Sequence, residues 1–188
     1  MAQRTILFHA KALLCKVSNT LGISPILRKI YFVKNKKYFK EIQKEGEFLP
    51  WITYPAILWL MKHIDGNMRV FEYGSGNSTL FFAGKVGQIV SVEYNSAWFK
   101  IVREKIAVND VRNCDYSLHE PVYVGQSKNE GVFGNFLSAG VQYKNFSFKE
   151  YCKTITKFPD NYFDLVLVDG RARLSCLYYG MKKSRKMA

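Results

Sequence analysis

Short apolar runs and longer amphipathic stretches alternate along the middle of the chain. Four runs are typical of strands: MRVFEYG at 68–74, QIVSVEY at 88–94, CDYSLHEP at 114–121 and YFDLVLVDG at 162–170. The predicted helices cover residues 54–64, 78–84, 96–108, 147–158 and 172–183. Because strands that alternate with helices favour parallel pairing, the pattern predicts an α/β fold, built as a Rossmann-like, doubly wound, mainly parallel sheet.

Two regions depart from this alternation. Residues 1–46 form a predicted basic N-terminal helical segment, with helices over 4–21 and 26–45. These helices fit either a lid on the domain of residues 47–188 or an amphipathic surface that lies on a membrane, and we favour the lid. Residues 122–146 are rich in Gly, Asn and Ser, which predicts a long functional loop.

Positive charge is concentrated at the two ends of the chain. Of the formal net charge of +13, residues 1–45 carry +8 and residues 181–188 carry +4, which leaves +1 for residues 46–180. Basic ends favour an anionic partner, such as a membrane surface, a glycan, a lipid or nucleic acid, with a solvated basic surface as the alternative. Nucleic acid is the least favoured of these partners, because no base-reading module is recognisable.

The sequence carries no recognisable secretory signal or membrane span. The longest apolar run, FLPWITYPAILWLM at 48–61, contains two prolines and is too short to cross a bilayer. The four cysteines are widely scattered and form no C-x-x-C pair, which is typical of reduced thiols. We therefore expect a cytoplasmic protein, with peripheral attachment to an anionic membrane through the basic ends as a further expectation.

Three acidic residues mark the carboxyl ends of predicted strands. Glu72 and Glu93 end the first two strands, and Asp169 ends the last. The carboxyl ends of parallel strands meet at one edge of a sheet, where ligands bind in folds of this class. The sequence therefore predicts a binding site at that edge, lined by three carboxylates.

The turn after the first strand narrows the choice of ligand. The stretch VFEYGSGNST lacks the Gly-Lys-Ser/Thr ending of a phosphate-binding loop and the G-x-S-x-G of a serine hydrolase. A dinucleotide site fits better, since Glu93 lies 19 residues beyond Gly74, where a carboxylate holds ribose hydroxyls. Glu72, however, would repel a pyrophosphate and attract an ammonium group, which favours S-adenosylmethionine over NAD.

At this point a family resemblance is clear. The segments VFEYGSGNST, IVSVEYN and FDLVLVDGRAR resemble the first, second and fourth motifs of class I S-adenosylmethionine-dependent methyltransferases. The first of them is similar to the bacterial branch that has E-Y-G-S-G-x-S-T, and the likeness covers about residues 47–175. It implies S-adenosyl-L-methionine as the cofactor. No metal is assigned, because the three histidines form no zinc-binding pattern.

The resemblance also implies roles for individual residues. The methionine end of the cofactor would be held by Glu72, Gly74, Ser75, Gly76, Asn77 and Ser78. Glu93 would hold the ribose, and Asp115 or Tyr116 would contact the adenine. Asp169 would lie beside the transferred methyl as general base, substrate anchor or, in some branches of the family, metal ligand. Arg171 and Arg173 would bind an anionic group of the substrate. The structural alternatives are that Ser78 and Thr79 cap a helix, that Arg171 pairs with a surface acid, and that Asp169 caps a turn.

Three functions fit these sequence features to different degrees. The favoured one is a methyltransferase that acts on a hydroxyl of a small molecule, a sugar or a lipid-linked acceptor. The alternative is a degenerate, non-catalytic protein that binds the cofactor or a polyanion. An NAD-dependent oxidoreductase is third, because Glu72 and Thr79 disfavour it.

The predicted sheet is also smaller than the resemblance implies. Sheets of that family have seven strands, and only four are predicted here. We therefore expect a C-terminally truncated methyltransferase, or a chain that a partner completes. Strand 164–168 would then expose an unpaired edge that favours oligomer formation.

Overall fold

The computed structural model describes residues 48–125, 135–138 and 141–185, apart from the side chain of Tyr54. The predicted N-terminal helices over 4–21 and 26–45 lie outside the described residues. The chain divides into two compact units, one of residues 1–47 and 53–58 and the other of residues 48–52 and 59–188. The described part of the first unit is the beginning of helix α1 (Tyr54–His63), which confirms the helix predicted over 54–64.

The second unit is a Rossmann-like α/β domain with a parallel sheet. Its strands are β1 (Arg69–Tyr73), β2 (Gln88–Glu93), β3 (Cys114–Leu118) and β6 (Leu165–Val168), in the order β3-β2-β1-β6. Its helices are α2 (Asn77–Ala83), α3 (Ser96–Val108), α4 (Lys149–Lys153) and α5 (Arg173–Lys183). Both central strands, β1 and β2, are buried along almost their whole length, as expected of parallel strands covered on both faces. The predicted fold class is confirmed.

The elements differ from the predicted ones mainly at their ends. The helix predicted over 147–158 is divided into α4 and a 3-10 helix over Thr154–Lys157. The predicted loop over 122–146 is bounded by two short antiparallel strands, β4 (Val122–Tyr123) and β5 (Phe146–Ser147). The described part of the chain contains no helix long and apolar enough to cross a membrane.

The strand order creates a crevice at the carboxyl ends of β1 and β6. The chain moves from β1 outward through β2 and β3 and then returns to place β6 on the other side of β1. Gly74, which follows β1, has a positive φ of 88°, and a Cβ on it would lie 2.8 Å from the backbone of Gly170. Glycine at 74 therefore lets the two strand ends approach closely and forms the floor of a ligand crevice.

Within the described residues, β6 is an edge strand of the main sheet. Beyond α5 the chain returns beside this edge, where Ser184 forms one parallel bridge with Phe163. The predicted edge over 164–168 is thus present, while oligomer formation through it stays a prediction.

Aromatic residues fill the core on one face of the sheet. Tyr73 and Tyr151 lie there with ring centroids 5.4 Å apart, and both are fully buried. The hydroxyl of Tyr73 donates to the carbonyl of Cys152 at 2.7 Å. The hydroxyl of Tyr151 lies against Gly170 and has no hydrogen-bond partner among the described residues. The two phenols are therefore similar in burial and opposite in hydrogen bonding.

A buried carboxyl group lies on the other face, beneath the turn. Glu72 is fully buried, and its Oε2 accepts hydrogen bonds from Thr79 Oγ1 at 2.6 Å and from Ser91 Oγ at 2.7 Å. Glu72 Oε1 has no hydrogen-bond partner in the part of the chain that the structure describes. Burial raises the pKa of Glu72 to about 7, although neighbouring hydroxyls partly offset this effect. The carboxyl group thus links β1 to β2 and to the start of α2.

Replacing each buried tyrosine by phenylalanine should have different consequences. Tyr73→Phe leaves the Cys152 carbonyl without its partner and should lower the free energy of unfolding by about 1–3 kcal/mol. Tyr151→Phe removes a hydroxyl that is buried without a partner and should leave stability unchanged or raise it. Urea unfolding of the two variants measures the difference, and an equal loss in both would contradict this account of the core.

Glu72 should make stability depend on pH in an unusual direction. Because its pKa is higher in the folded protein than the ordinary value of 4.5, folding favours the protonated form, and this contribution declines as pH rises from about 4.5 to about 7. At roughly 1.4 kcal/mol per pKa unit the change is roughly 3 kcal/mol. Glu72→Gln should remove it, whereas Glu104→Gln, at an exposed carboxylate, should not. Unfolding free energies at pH 5 and pH 8 provide the test, and parallel pH profiles for wild type and Glu72→Gln would refute it.

Candidate functional site

A cleft of about 1450 Å³ lies at the carboxyl ends of the strands. This volume exceeds that of ordinary small-molecule pockets. Among the residues predicted for the site, those that line the cleft are Gly74, Ser75, Gly76, Asn77, Ser78, Glu93, Asp169, Arg171 and Arg173. The fold therefore brings together most of the predicted residues, although their roles in binding stay predictions.

Glu93 is the most constrained group in the cleft. It is 2% exposed, and its Oε1 accepts the backbone N–H groups of Tyr94 and Asn95, each at 2.9 Å. Its Oε2 accepts the N–H of Ser75 at 3.0 Å and the Ser75 hydroxyl at 2.8 Å. A carboxylate has about four acceptor positions, so the protein itself fills all of them. A ribose hydroxyl must therefore replace at least one of these bonds, and the Ser75 hydroxyl is the only side-chain donor among the four.

The N–H groups of the glycine turn are directed into the protein. The N–H of Gly74 donates to Val92 O at 2.9 Å, and that of Ser75 donates to Glu93. The N–H of Gly76 donates to Thr79 Oγ1 at 3.0 Å. Three successive donors are thus already used, whereas a phosphate-binding turn presents such groups to its ligand.

Two predicted site residues do not line the cleft. Glu72 lies beneath the turn, where its partners are Thr79 and Ser91. Asp115 is exposed near the beginning of β3, where it pairs with Val90, three residues before the end of β2. Tyr116, the alternative to Asp115, lies next to the site, because its hydroxyl is 2.7 Å from Ser75 Oγ. Contact of Glu72 or Asp115 with a cofactor stays a prediction.

Asp169 and Arg173 form an ion pair at one side of the cleft. Arg173 Nη2 lies 3.0 Å from Asp169 Oδ1, and the same guanidinium also donates to the carbonyls of Asp169 and Gly170. The Asp169 side chain keeps 45% of its surface exposed. Partial desolvation raises the pKa of Asp169, and Arg173 opposes that shift. Arg173 therefore forms an ion pair with an acidic residue, which is the structural role that the sequence patterns offered as the alternative for Arg171.

Arg171 has a different environment from Arg173. Its Nε–H donates to the hydroxyl of Tyr94 at 3.3 Å, and its guanidinium lies 5.3 Å from the centre of the Tyr143 ring. Across residues 48–125, 135–138 and 141–185, no ion pair involves Arg171. Tyr94 and Tyr143 therefore hold the Arg171 guanidinium at the cleft, and neither side chain neutralises its positive charge.

The cleft also contains residues that the sequence did not single out. Trp98 lines it and donates its indole N–H to Ser75 O at 2.9 Å, while Trp51 lines it with 91% of its surface exposed. Trp98 could have been inferred, because it lies in the first turn of the helix after β2, which Asn95 caps. Tyr143 belongs to the predicted functional loop, but nothing in the sequence distinguishes it from the other aromatic residues there.

Among the described residues, no group of three or more His, Cys, Asp or Glu side chains is arranged to hold a metal ion, and the absence of a metal stays a prediction.

Comparisons with known proteins give only distant likenesses. No protein-family model and no curated protein matches the chain. Among solved structures, the chain is similar to the YcgJ protein from Bacillus subtilis (14% identity, TM-score 0.36, covering 60% of this chain and 36% of that one). It is also similar to a methyltransferase-like protein from Silicibacter pomeroyi (23% identity, TM-score 0.39, covering 71% of this chain and 68% of that one). A third similar structure is an rRNA methylase from Streptococcus thermophilus (13% identity, TM-score 0.36, covering 65% of this chain and 74% of that one). Because these values are low, the fold is assigned here from the strand order and register of the chain itself.

Proposed function

We propose that the protein binds S-adenosyl-L-methionine in the cleft and transfers its methyl group to an acceptor hydroxyl. The acceptor would be a small molecule, a sugar or a lipid-linked group. The observation that carries this proposal is the pairing of the closed glycine turn with the Glu93 carboxylate. The turn offers no N–H from Gly74, Ser75 or Gly76 to a phosphate, and it lies beside a carboxylate.

This arrangement favours a cationic, phosphate-free adenosyl ligand over a dinucleotide. A pyrophosphate at the turn would meet the Glu93 carboxylate without compensating donors from those three residues. An ammonium or sulfonium group would instead be attracted to Glu93 and Asp169. These features support the cofactor and disfavour NAD.

The residues of the cleft suit the two ends of such a ligand. The turn Gly74–Ser78 would face the methionine portion, and Glu93 would hold the ribose once the Ser75 hydroxyl has moved away. Trp98 would contribute an aromatic surface beside Glu93 for the adenine.

The chemistry requires positioning and one proton acceptor. S-adenosylmethionine supplies an activated methyl on a cationic sulfur. As the acceptor oxygen forms a bond to the methyl carbon and the carbon–sulfur bond breaks, the hydroxyl proton must leave. Asp169 is suited to take this proton, because its pKa is raised and Arg173 holds its carboxylate in place. The aromatic side chains around the cleft would exclude water during the transfer.

One observation favours the alternative of a non-catalytic protein. Every acceptor position of Glu93 is occupied by the protein itself, as expected of a turn that has closed permanently. Binding of the reaction product tests for a permanently closed turn, because such a turn would leave Glu93 unable to hold a ribose. A non-catalytic protein that still binds the cofactor differs from a methyltransferase only in that it transfers no methyl group to an acceptor.

Binding of S-adenosylhomocysteine is the first test. We expect isothermal titration to detect binding to the wild type and no comparable binding of NADH. Glu93→Gln should weaken binding by at least about tenfold, because charge-assisted hydrogen bonds to the ribose are worth about 1.5–3 kcal/mol. Glu104→Gln is the matched control and should have little effect, since Glu104 is an exposed carboxylate that does not line the cleft. An absence of heat from folded wild-type protein, together with native mass spectra that lack a retained adenosyl compound, would reject the proposal.

Ser75→Ala tests whether the turn must open. Because its hydroxyl occupies Glu93 Oε2 in the free protein, removing it should tighten S-adenosylhomocysteine binding by about threefold to tenfold, equivalent to about one hydrogen bond. Tyr116→Phe frees no position on Glu93 and removes the partner that remains for Ser75 Oγ when a ribose displaces it, so it should not tighten binding and should weaken it. Weaker binding by Ser75→Ala would show instead that the hydroxyl contacts the ligand.

A further inference from the structure

The charged side chains of the cleft differ in the hydrogen bonds and ion pairs that they form with the rest of the protein. Glu93 is satisfied by four hydrogen bonds, and Asp169 is paired with Arg173. Lys105 donates to the side-chain oxygen of Asn77 at 3.3 Å. Arg171 has only a phenol and an aromatic ring as partners within the described ranges. Among the described residues, Arg171 and Lys105 are thus the cations of the cleft without a carboxylate partner, and of these two only Arg171 has the planar guanidinium.

The way in which Arg171 is held leaves most of its donors available. A guanidinium has five N–H donors, and only Nε–H has a protein acceptor among the residues described. The Nη groups form the planar pair that binds carboxylate or phosphate in bidentate fashion. Tyr94 and Tyr143 restrict the side chain without using those groups, so an anion would meet a cation that is already oriented.

The position of Arg171 assigns this anion to the acceptor side of the cleft. Arg171 is two residues beyond Asp169, the proposed proton acceptor, and it reaches Tyr94 at the end of β2. An acceptor bound here would present its hydroxyl to Asp169 and its charged group to Arg171. The cleft, at about 1450 Å³, is large enough to hold a second molecule beside an adenosyl ligand.

We propose that Arg171 is the anchor for an oxyanion on the methyl acceptor, so that the substrate is a phosphorylated or carboxylated molecule rather than a neutral one. This inference rests on the proposed function. Its chemistry is shared by phosphate and carboxylate, and the experiment below separates the two.

The test uses the full chain saturated with S-adenosylhomocysteine and titrated at constant ionic strength with methyl phosphate, with acetate and with neutral methanol. We expect one of the two anions to bind, and methanol not to bind. Arg171→Gln should weaken anion binding by at least about tenfold, and Arg171→Lys should weaken it less, because a lysine keeps the charge but loses the bidentate geometry. Lys105→Gln removes an equal charge from the same cleft and should cause less than about a twofold change.

Each contrary result has a distinct meaning. An equal loss of anion affinity in Arg171→Gln and Lys105→Gln would show that only the net charge of the cleft matters, and this result would overturn the proposal. If Arg171→Gln weakens S-adenosylhomocysteine but not 5′-methylthioadenosine, which lacks the amino-acid carboxylate, Arg171 serves the cofactor instead, and the proposal is wrong. If S-adenosylhomocysteine does not bind the wild type, the proposed function fails. The same anion titrations on the free protein then still decide whether Arg171 anchors an anion.

Discussion

The buried carboxylate of Glu93 is the interaction on which the geometry of the cleft depends. A carboxylate with 2% exposure is stable only if its acceptor positions are filled, and the protein fills them from two places. One is the turn after β1, through Ser75, and the other is the chain that leads into α3, through Tyr94 and Asn95. A single side chain therefore fixes the end of β2, the turn beside it and the entry to α3.

The three carboxyl groups of this edge are placed in three different environments. Glu72 is surrounded by hydroxyls and apolar residues, so burial raises its pKa to about 7. Glu93 is held by backbone N–H groups, and Asp169 is held by an arginine with its side chain partly exposed. Similar residues at the ends of adjacent strands thus acquire separate tasks: one links the elements of the fold, one organises the turn, and one remains accessible for chemistry.

Sequence patterns predicted the parts of the molecule that depend on periodicity. The boundaries of α3 agree with the prediction, and those of β1 and β2 agree to within a residue at each end, because buried parallel strands and an amphipathic helix have clear apolar spacing. The position of Asp115 depends on the register between β2 and β3, which pairs it with Val90 away from the strand ends and which local sequence does not determine. Arg173 pairs with Asp169, four residues away, whereas the partners of Arg171 are Tyr94 and Tyr143, which are distant in sequence and reach it only through the fold.

The same hydrogen bonds that shape the cleft also oppose a ligand. A ribose that binds Glu93 exchanges a bond within the protein for a bond to the ligand, so the net gain is smaller than the strength of the new bond. The exchange is tolerable because Ser75 Oγ has a second partner in Tyr116, 2.7 Å away, and need not be left without one. A turn whose hydroxyl can move between two partners is compatible with reversible binding. Its backbone N–H groups, fixed on Val92, Glu93 and Thr79, preserve the shape of the site throughout.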